Sequence, residues 1–371
     1  MNILIAGDFC PHGRVADLIN SGDYSSVLSE VCEITAQSDY SIVNLECPIV
    51  NGDAKPIEKN GPNLSSSIKG LEAIKYAGFN CVSLANNHFL DYGTEGVINT
   101  LQSCKQLSID TVGGGMTLSS ASSVLYKQIG NQLLAIINCC EHEFSIATET
   151  SPGSNPLNPI KQYYAIKDAR GKADHVLVIV HGGHEMFQLP SSRMVETYRF
   201  FVDAGADAVV NHHQHCYSGY EIYHGKLIFY GLGNFCFDHP TQRSGMWTEG
   251  YMVRIDFSDE KPLFNIYPYQ QCANSATVKM FELDTFDEQL QALNSIIANS
   301  KLLEEKIHAY YASSISQYIN IFEPLYNRFY MAAKSRGWLP SFVGKNRKLA
   351  AANYVACEAH RDKLLYWLGI E

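Results

Sequence analysis

The chain of 371 residues is 46% hydrophobic and 18% charged, with a net charge of −10. Such a composition supports a sizeable buried core and excludes wholesale disorder, and the length suits one large domain or two ordinary ones. The acidic balance excludes a broad basic groove for nucleic acid, although bound cations can reverse the field locally for an anionic ligand.

In chain order, NILIA reads as a short buried strand. The N-terminal residues carry no basic stretch and no long apolar run, so no signal peptide and no intrinsic membrane anchor is expected. Helical spacing comes next over 25–37, then a strand over 40–46, and a helix over 66–78 with Gly78 placed to end it. Residues 80–85 form the next strand, and 94–107 a helix behind a Thr cap. Further on, 175–180 is a strand, 191–205 a helix ending at Gly205, and 206–210 a strand. This βαβα rhythm implies an α/β layered fold. Two-residue turns at Gly130-Asn131 and His224-Gly225 add hairpins to it. From about residue 283 strand-like runs give way to helical spacing, so the expected division is 1–280 for the α/β part and 281–371 for a helical C-terminal extension. Eleven cysteines, odd in number and without a C-x-x-C pair, read as buried reduced thiols of a cytoplasmic protein.

The apolar strands share one feature: each leads into residues with metal-binding chemistry. Asp8 comes after NILIAG, Glu46 after SIVNL, and Asn86, Asn87 and His88 after NCVSLA. His181, His184 and Glu185 come after HVLVIV, while Asn211, His212, His213 and His215 come after ADAVV. In an open α/β sheet, ligands bind outside the carboxyl ends of the strands, so these five ends make one polar site. Asp, Glu, Asn and His together suit borderline or hard divalent metals. There are enough of them for two ions, with positions left for water and substrate. Asn87 can offer an amide oxygen, His88 can stand beside it as a proton donor, and Asp91 can orient the imidazole.

The ordered set GD (7–8), NLECP (44–48), LANNHFLDYG (84–93), HGGHE (181–185), HHQH (212–215) and GYEIYHGKLIFYGLGNFCFD (219–238) resembles the CapA family. These are the poly-γ-glutamate capsule synthesis proteins, related to calcineurin-like metallophosphoesterases. The likeness covers roughly residues 1–260 and is most specific in LANNHFLDYG and YGLGNFCFD. It implies a metallophosphoesterase-like layered αββα sandwich with a helical C-terminal region, and two divalent metal ions (Mn, Fe or Zn). Asp8 and His215 would hold one metal, Asn87, His181 and His213 the other, and Glu46 would bridge. His88 would contact substrate, with Asp91 and Glu185 as its catalytic company. Arg14, Glu185 and Asn234 would line the pocket. Asn86 is grouped with Arg14 and Asn234 on the substrate side, against a plainer reading in which it bonds backbone at the strand end.

The sequence also departs from the family pattern. Cys10 stands where the phosphoesterases place a histidine ligand, Gln214 replaces a proline, and Gly231 replaces a serine. The implied activity is a metal-dependent hydrolase or transferase acting in poly-γ-glutamate-like capsule polymer synthesis or processing. Its implied partners are an anionic polymer, a phosphoester or γ-glutamyl substrate, and capsule synthase subunits. Two alternatives stand beside it: a non-catalytic polymer- or synthase-binding protein, and a small-molecule phosphodiesterase or nucleotidase. Some residues have plainer readings. His184 and His212 read as exposed or supporting side chains, Asp8 alone as a helix cap, and Glu46 alone as a surface turn residue. The glycines of 113–115 and 231–233 lack the dinucleotide spacing. The acid-free basic stretch 334–348 reads as a solvated loop or a contact for an anionic partner.

Overall fold

A computed structural model describes residues 1–52, 54–257, 263–281, 283–319, 323, 327–340, 342–356 and 368. The chain divides into two compact units, Met1–Glu304 and Glu305–Glu371. In chain order the strands are β1 (Asn2–Phe9), β2 (Tyr40–Leu45), β3 (Cys81–Ser83), β4 (Asp110–Val112), β5 (Gly114–Gly115), β6 (Leu125–Ile129), β7 (Gln132–Cys140), β8 (Gly153–Ser154), β9 (His175–His181), β10 (Ala208–His212), β11 (Tyr220–Tyr223), β12 (Lys226–Phe229), β13 (Asn234–Cys236), β14 (Glu249–Asp256), β15 (Leu263–Gln271) and β16 (Val278–Met280). The helices of the first unit include α1 (Gly13–Ser21), α2 (Tyr24–Thr35), α3 (Ile68–Tyr76), α4 (Gly93–Leu107), α5 (Leu118–Ala121), α6 (Pro159–Arg170), α7 (Ser192–Ala204) and α8 (Leu283–Ala298).

Two sheets form the centre. One runs β16-β15-β14-β1-β2-β3-β4 with β13 beside β1, and the other runs β11-β12-β10-β9-β7-β6. Strands β1 to β4 are mutually parallel, as are β7, β9, β10 and β12. Side chains alternate across each strand, and this sorts the core into layers. Ile3, Ile5 and Ile42 meet Leu134, Ile136, Leu177, Ile179, Ala208 and Val210 between the sheets. Leu4, Ala6, Val43 and Val82 face the other way, onto Val15, Ile19, Val27, Leu28, Leu71 and Val97 of α1 to α4. On the far side of the second sheet α6 and α7 pack against β7, β9, β10 and β12. The result is the layered αββα sandwich.

The hairpins form as expected, with Ile129 paired to Gln132 and Tyr223 to Lys226. The period of the sequence does not mark the antiparallel pair β14 and β15, because β14 is buried on both faces over Gly250–Val253. Helix α8 places Phe286 and Leu290 in the core between the sheets. A further helix, α9 (Ser300–Ile319), starts after Asn299, whose side chain accepts from the Leu302 N–H at 3.1 Å. The second unit contains α10 (Arg328–Ser335) and α11 (Lys345–Ala356). Its buried Glu323 accepts from Lys334, Tyr330 and the Phe342 N–H at 2.7 to 3.1 Å. Among the described residues no helix is long and apolar enough to cross a membrane, and the ten described cysteines form no disulfide.

Candidate metal centre

Parallel strands end together, so the residues at or just past the ends of β1, β2, β3, β7, β9 and β10 gather at one edge of the sandwich. Gly7 lets β1 approach closely: a Cβ there would strike the Gly233 carbonyl. Asp8 then sits fully buried, accepting from Asn44 Nδ2 at 2.7 Å and from the His213 N–H at 3.2 Å. Glu46 is fully buried as well, and neither of its carboxylate oxygens has a hydrogen-bond partner. Both side chains therefore lie in the interior, at neither a helix cap nor a surface turn.

The ligand-type atoms fall into two groups that share Glu46. Glu46, His181 and His213 form one, and Asp8, Glu46 and His215 the other, each with its atoms within 4.8 Å of one another. In the first group His181 Nε2 lies 3.1 Å from His213 Nδ1, 3.1 Å from Asn87 Oδ1 and 3.6 Å from Glu46 Oε1. In the second, His215 Nε2 lies 3.7 Å from Glu46 Oε1, while its other ring nitrogen, Nδ1, lies 3.7 Å from Asp8 Oδ2. Donor atoms bound tetrahedrally at about 2.1 Å stand about 3.4 Å apart, so this spacing fits a metal-ligand shell. The chain holds His213 and His215 in left-handed backbone, at φ 91° and 55°. Such strain costs on the order of 1–3 kcal/mol per residue and persists where the surroundings over-determine it.

The electrostatics fit a cation equally well. Burial, reinforced by Asp8, pushes the Glu46 carboxyl well above its ordinary range. Burial also raises Asp8, against the opposing pull of His215, Asn44 and the His213 N–H. Burial and the neighbouring imidazoles lower His181, and burial brings His215 down to about 4 although Asp8 opposes it. Acids short of a counter-charge beside neutral imidazoles with lone pairs to give are what a divalent ion requires of its ligands.

His88 stands beside this centre. Its Nδ1 is 2.7 Å from Asp91 Oδ2, and Asp91 also accepts from the Leu64 N–H at 2.6 Å and from the Lys59 ammonium. Lys59 is a residue that the sequence pattern does not announce. Its side chain is 2% exposed and its Nζ lies 3.2 Å from His88 Nδ1. Asp91→Asn is expected to cost about 3–5 kcal/mol, because it strands this buried ammonium. Urea unfolding measures it, and adding Lys59→Met should restore part of the loss; a midpoint unmoved by Asp91→Asn would show that the pair carries no such energy.

The other expected residues are placed differently. Glu185 is exposed, yet close enough to raise Glu46. Asn86 is fully buried and donates to the Leu45 carbonyl at 2.8 Å. Asn234, also fully buried, lies with Oδ1 2.9 Å from His215 Nδ1 and donates to the His215 and Trp247 carbonyls. Arg14 grips Asp238 at 2.8 and 3.0 Å and the carbonyls of Cys272, Ala273 and Asn274. The polar atoms of these three therefore meet protein partners. His212 is buried, as the last residue of β10 paired with His181, and burial lowers it to about 3. His184 is half-buried. Cys10 belongs to neither ligand group; its thiol meets that of Cys47, which together with burial pushes it well up. The remaining two departures lie against each other, a Cβ at Gly231 falling on the Gln214 amide oxygen.

Comparison with known proteins settles the family. The model of the bacterial capsule synthesis protein PGA_cap matches residues 2–239. The chain belongs to the PGA_cap family. It is 33% identical over 252 residues to the capsule biosynthesis protein CapA of Bacillus anthracis, covering 66% of this chain and 61% of that protein. It is 32% identical over 242 residues to the PGA biosynthesis protein CapA of Bacillus subtilis (strain 168), covering 64% and 63%. The chain thus spans about three fifths of the length of these curated relatives. A solved 5′-nucleotidase precursor from Thermus thermophilus aligns with a TM-score of 0.44 at 11% identity, over 79% of this chain and 57% of that one. The PGA_cap match takes in every residue for which the resemblance implies a metal, catalytic or substrate role, from Asp8 to Asn234.

Proposed function

We propose that this PGA_cap protein is a metal-dependent hydrolase or transferase that acts on a poly-γ-glutamate-like capsule polymer during its synthesis or processing. The observation that carries the chemistry is Glu46: a fully buried carboxylate, shared by two ligand groups, with both oxygens unpartnered by protein. Leaving a charge there unpaired costs several kcal/mol, and a pair of divalent cations removes that cost. The relatives named for capsule and PGA biosynthesis supply the polymer.

Asp8 and His215 would hold one ion, Asn87, His181 and His213 the other, and Glu46 would serve both. Divalent ions, when bound, supply Lewis-acid polarisation of the electrophile and a water nucleophile at neutral pH. Everything else falls to the chain. Asp91, itself held by Lys59, accepts from His88 Nδ1 and so fixes the ring, which leaves Nε2 to pass a proton to the leaving group. Asn234 steadies His215, and Asn44 steadies Asp8. Glu185, exposed near Glu46, would meet substrate.

The test is incubation of the protein and Mn²⁺ with poly-γ-glutamate, following chain length and newly released amines. Shortening or transfer that stops on chelation is the expected result. Polymer that binds but keeps its length and yields no amine would favour the non-catalytic binding role, to which the Cys10 departure also points.

A further inference from the structure

Asn87 can serve a metal only through its oxygen, so something must decide which way its amide faces. The loop after β7 does so. Asn87 Nδ2 donates to Glu143 Oε2 at 3.1 Å, and Oδ1 thereby faces His181 Nε2 at 3.1 Å. The flipped amide would set its oxygen against the carboxylate and its N–H₂ against the ligand cluster. Electrostatics therefore choose one rotamer. The loop itself is stitched in place: Ser145 donates to the Asn87 carbonyl at 2.8 Å and accepts from the Leu90 N–H at 3.0 Å.

The same carboxylate reaches a second ligand. His213 points Nδ1 into the cluster, 3.1 Å from His181 Nε2, and its far nitrogen Nε2 lies 3.6 Å from Glu143 Oε1. That distance is too long for a hydrogen bond but close enough for the charge to be felt. A carboxylate behind a ligating imidazole fixes the ring and strengthens it as a donor. Glu143 thus stands behind two of the three side chains that crowd His181.

We propose that Glu143 is a positioning residue for the Asn87–His181–His213 centre, fixing the Asn87 amide with its oxygen inward and backing the His213 ring. This rests on the metal-centre reading above. The Glu143 side chain is 36% exposed, so it can be replaced without opening the core.

The experiment is calorimetric titration of metal-free protein with Mn²⁺, comparing wild type, Glu143→Ala, Glu143→Gln and Glu141→Ala. Glu141 lies on the same loop but pairs with Arg193, and so controls for a general loss of acidic charge. Glu143→Ala is expected to weaken one of two classes of Mn²⁺ site by about 10- to 100-fold. Glu143→Gln, which keeps an acceptor for the amide but not the charge, should fall between Ala and wild type, and Glu141→Ala should match wild type. Wild-type affinity in Glu143→Ala, or equal loss in Glu141→Ala, would overturn the assignment while leaving the metal centre intact. A wild type that takes up no Mn²⁺ would instead sink the metal centre, and this inference with it.

Discussion

Replacing Glu46 with glutamine is expected to abolish metal binding and, at the same time, to leave the metal-free fold as stable or more stable. The two effects have one cause. Glu46 is fully buried, carries no hydrogen-bond partner on either oxygen, and shares its surroundings with Asp8. Without a cation it is a liability: a buried, unpaired charge costs several kcal/mol or is neutralised by a proton. The glutamine keeps the shape and removes the repulsion, so the metal-free variant should gain about 1–3 kcal/mol. With metal the order reverses. A tightly held ion at a hundred times its Kd adds about 2.7 kcal/mol to the native state, and the wild type alone should collect that for two ions. Thermal melts with and without Mn²⁺ check both halves. A variant that is destabilised without metal and still shifts with Mn²⁺ would mean that Glu46 is a structural acid.

His88→Ala is expected to separate chemistry from binding. His88 belongs to neither ligand group, and its Nδ1 is engaged by Asp91 at 2.7 Å. Its loss should leave metal content unchanged while lowering the proposed turnover of γ-glutamyl polymer by about 10²- to 10⁴-fold, the usual worth of a positioned acid or base. Lys59→Met, which loosens the same ring without removing it, should lie between wild type and His88→Ala. Full activity in His88→Ala would remove the residue from the mechanism; a loss of metal as well would make it a ligand.

The site was legible in the sequence to the extent that backbone periodicity places it. Asp8, Glu46, Asn87, His181, His213 and His215 each come at the end of an apolar run, and parallel strands that begin together deliver their ends together. Asn44 was within reach of the same logic. It lies two residues before Glu46, a polar side chain inside the run YSIVNL, and the structure turns it onto Asp8. Lys59 and Glu143 were not legible. They sit in loops placed by tertiary hydrogen bonds, from the Ile57 N–H to the Asp91 carbonyl in one case and from Ser145 to Asn87 in the other, and no local pattern encodes such contacts. Burial of His212 was hidden for a related reason. An imidazole at a strand end reads as exposed until the opposing sheet is known. Strands β14 and β15 escaped because their two faces do not alternate cleanly between apolar and polar.

Metal content tests the proposed dinuclear centre most directly. Purified wild-type protein and His213→Ala, each offered Mn, Fe and Zn and then freed of loosely held ions, would be measured by mass spectrometry. A centre of two ions sharing Glu46 predicts about two equivalents in the wild type and a loss of at least one in the variant. No bound metal in the wild type, or equal content in the two proteins, would contradict it.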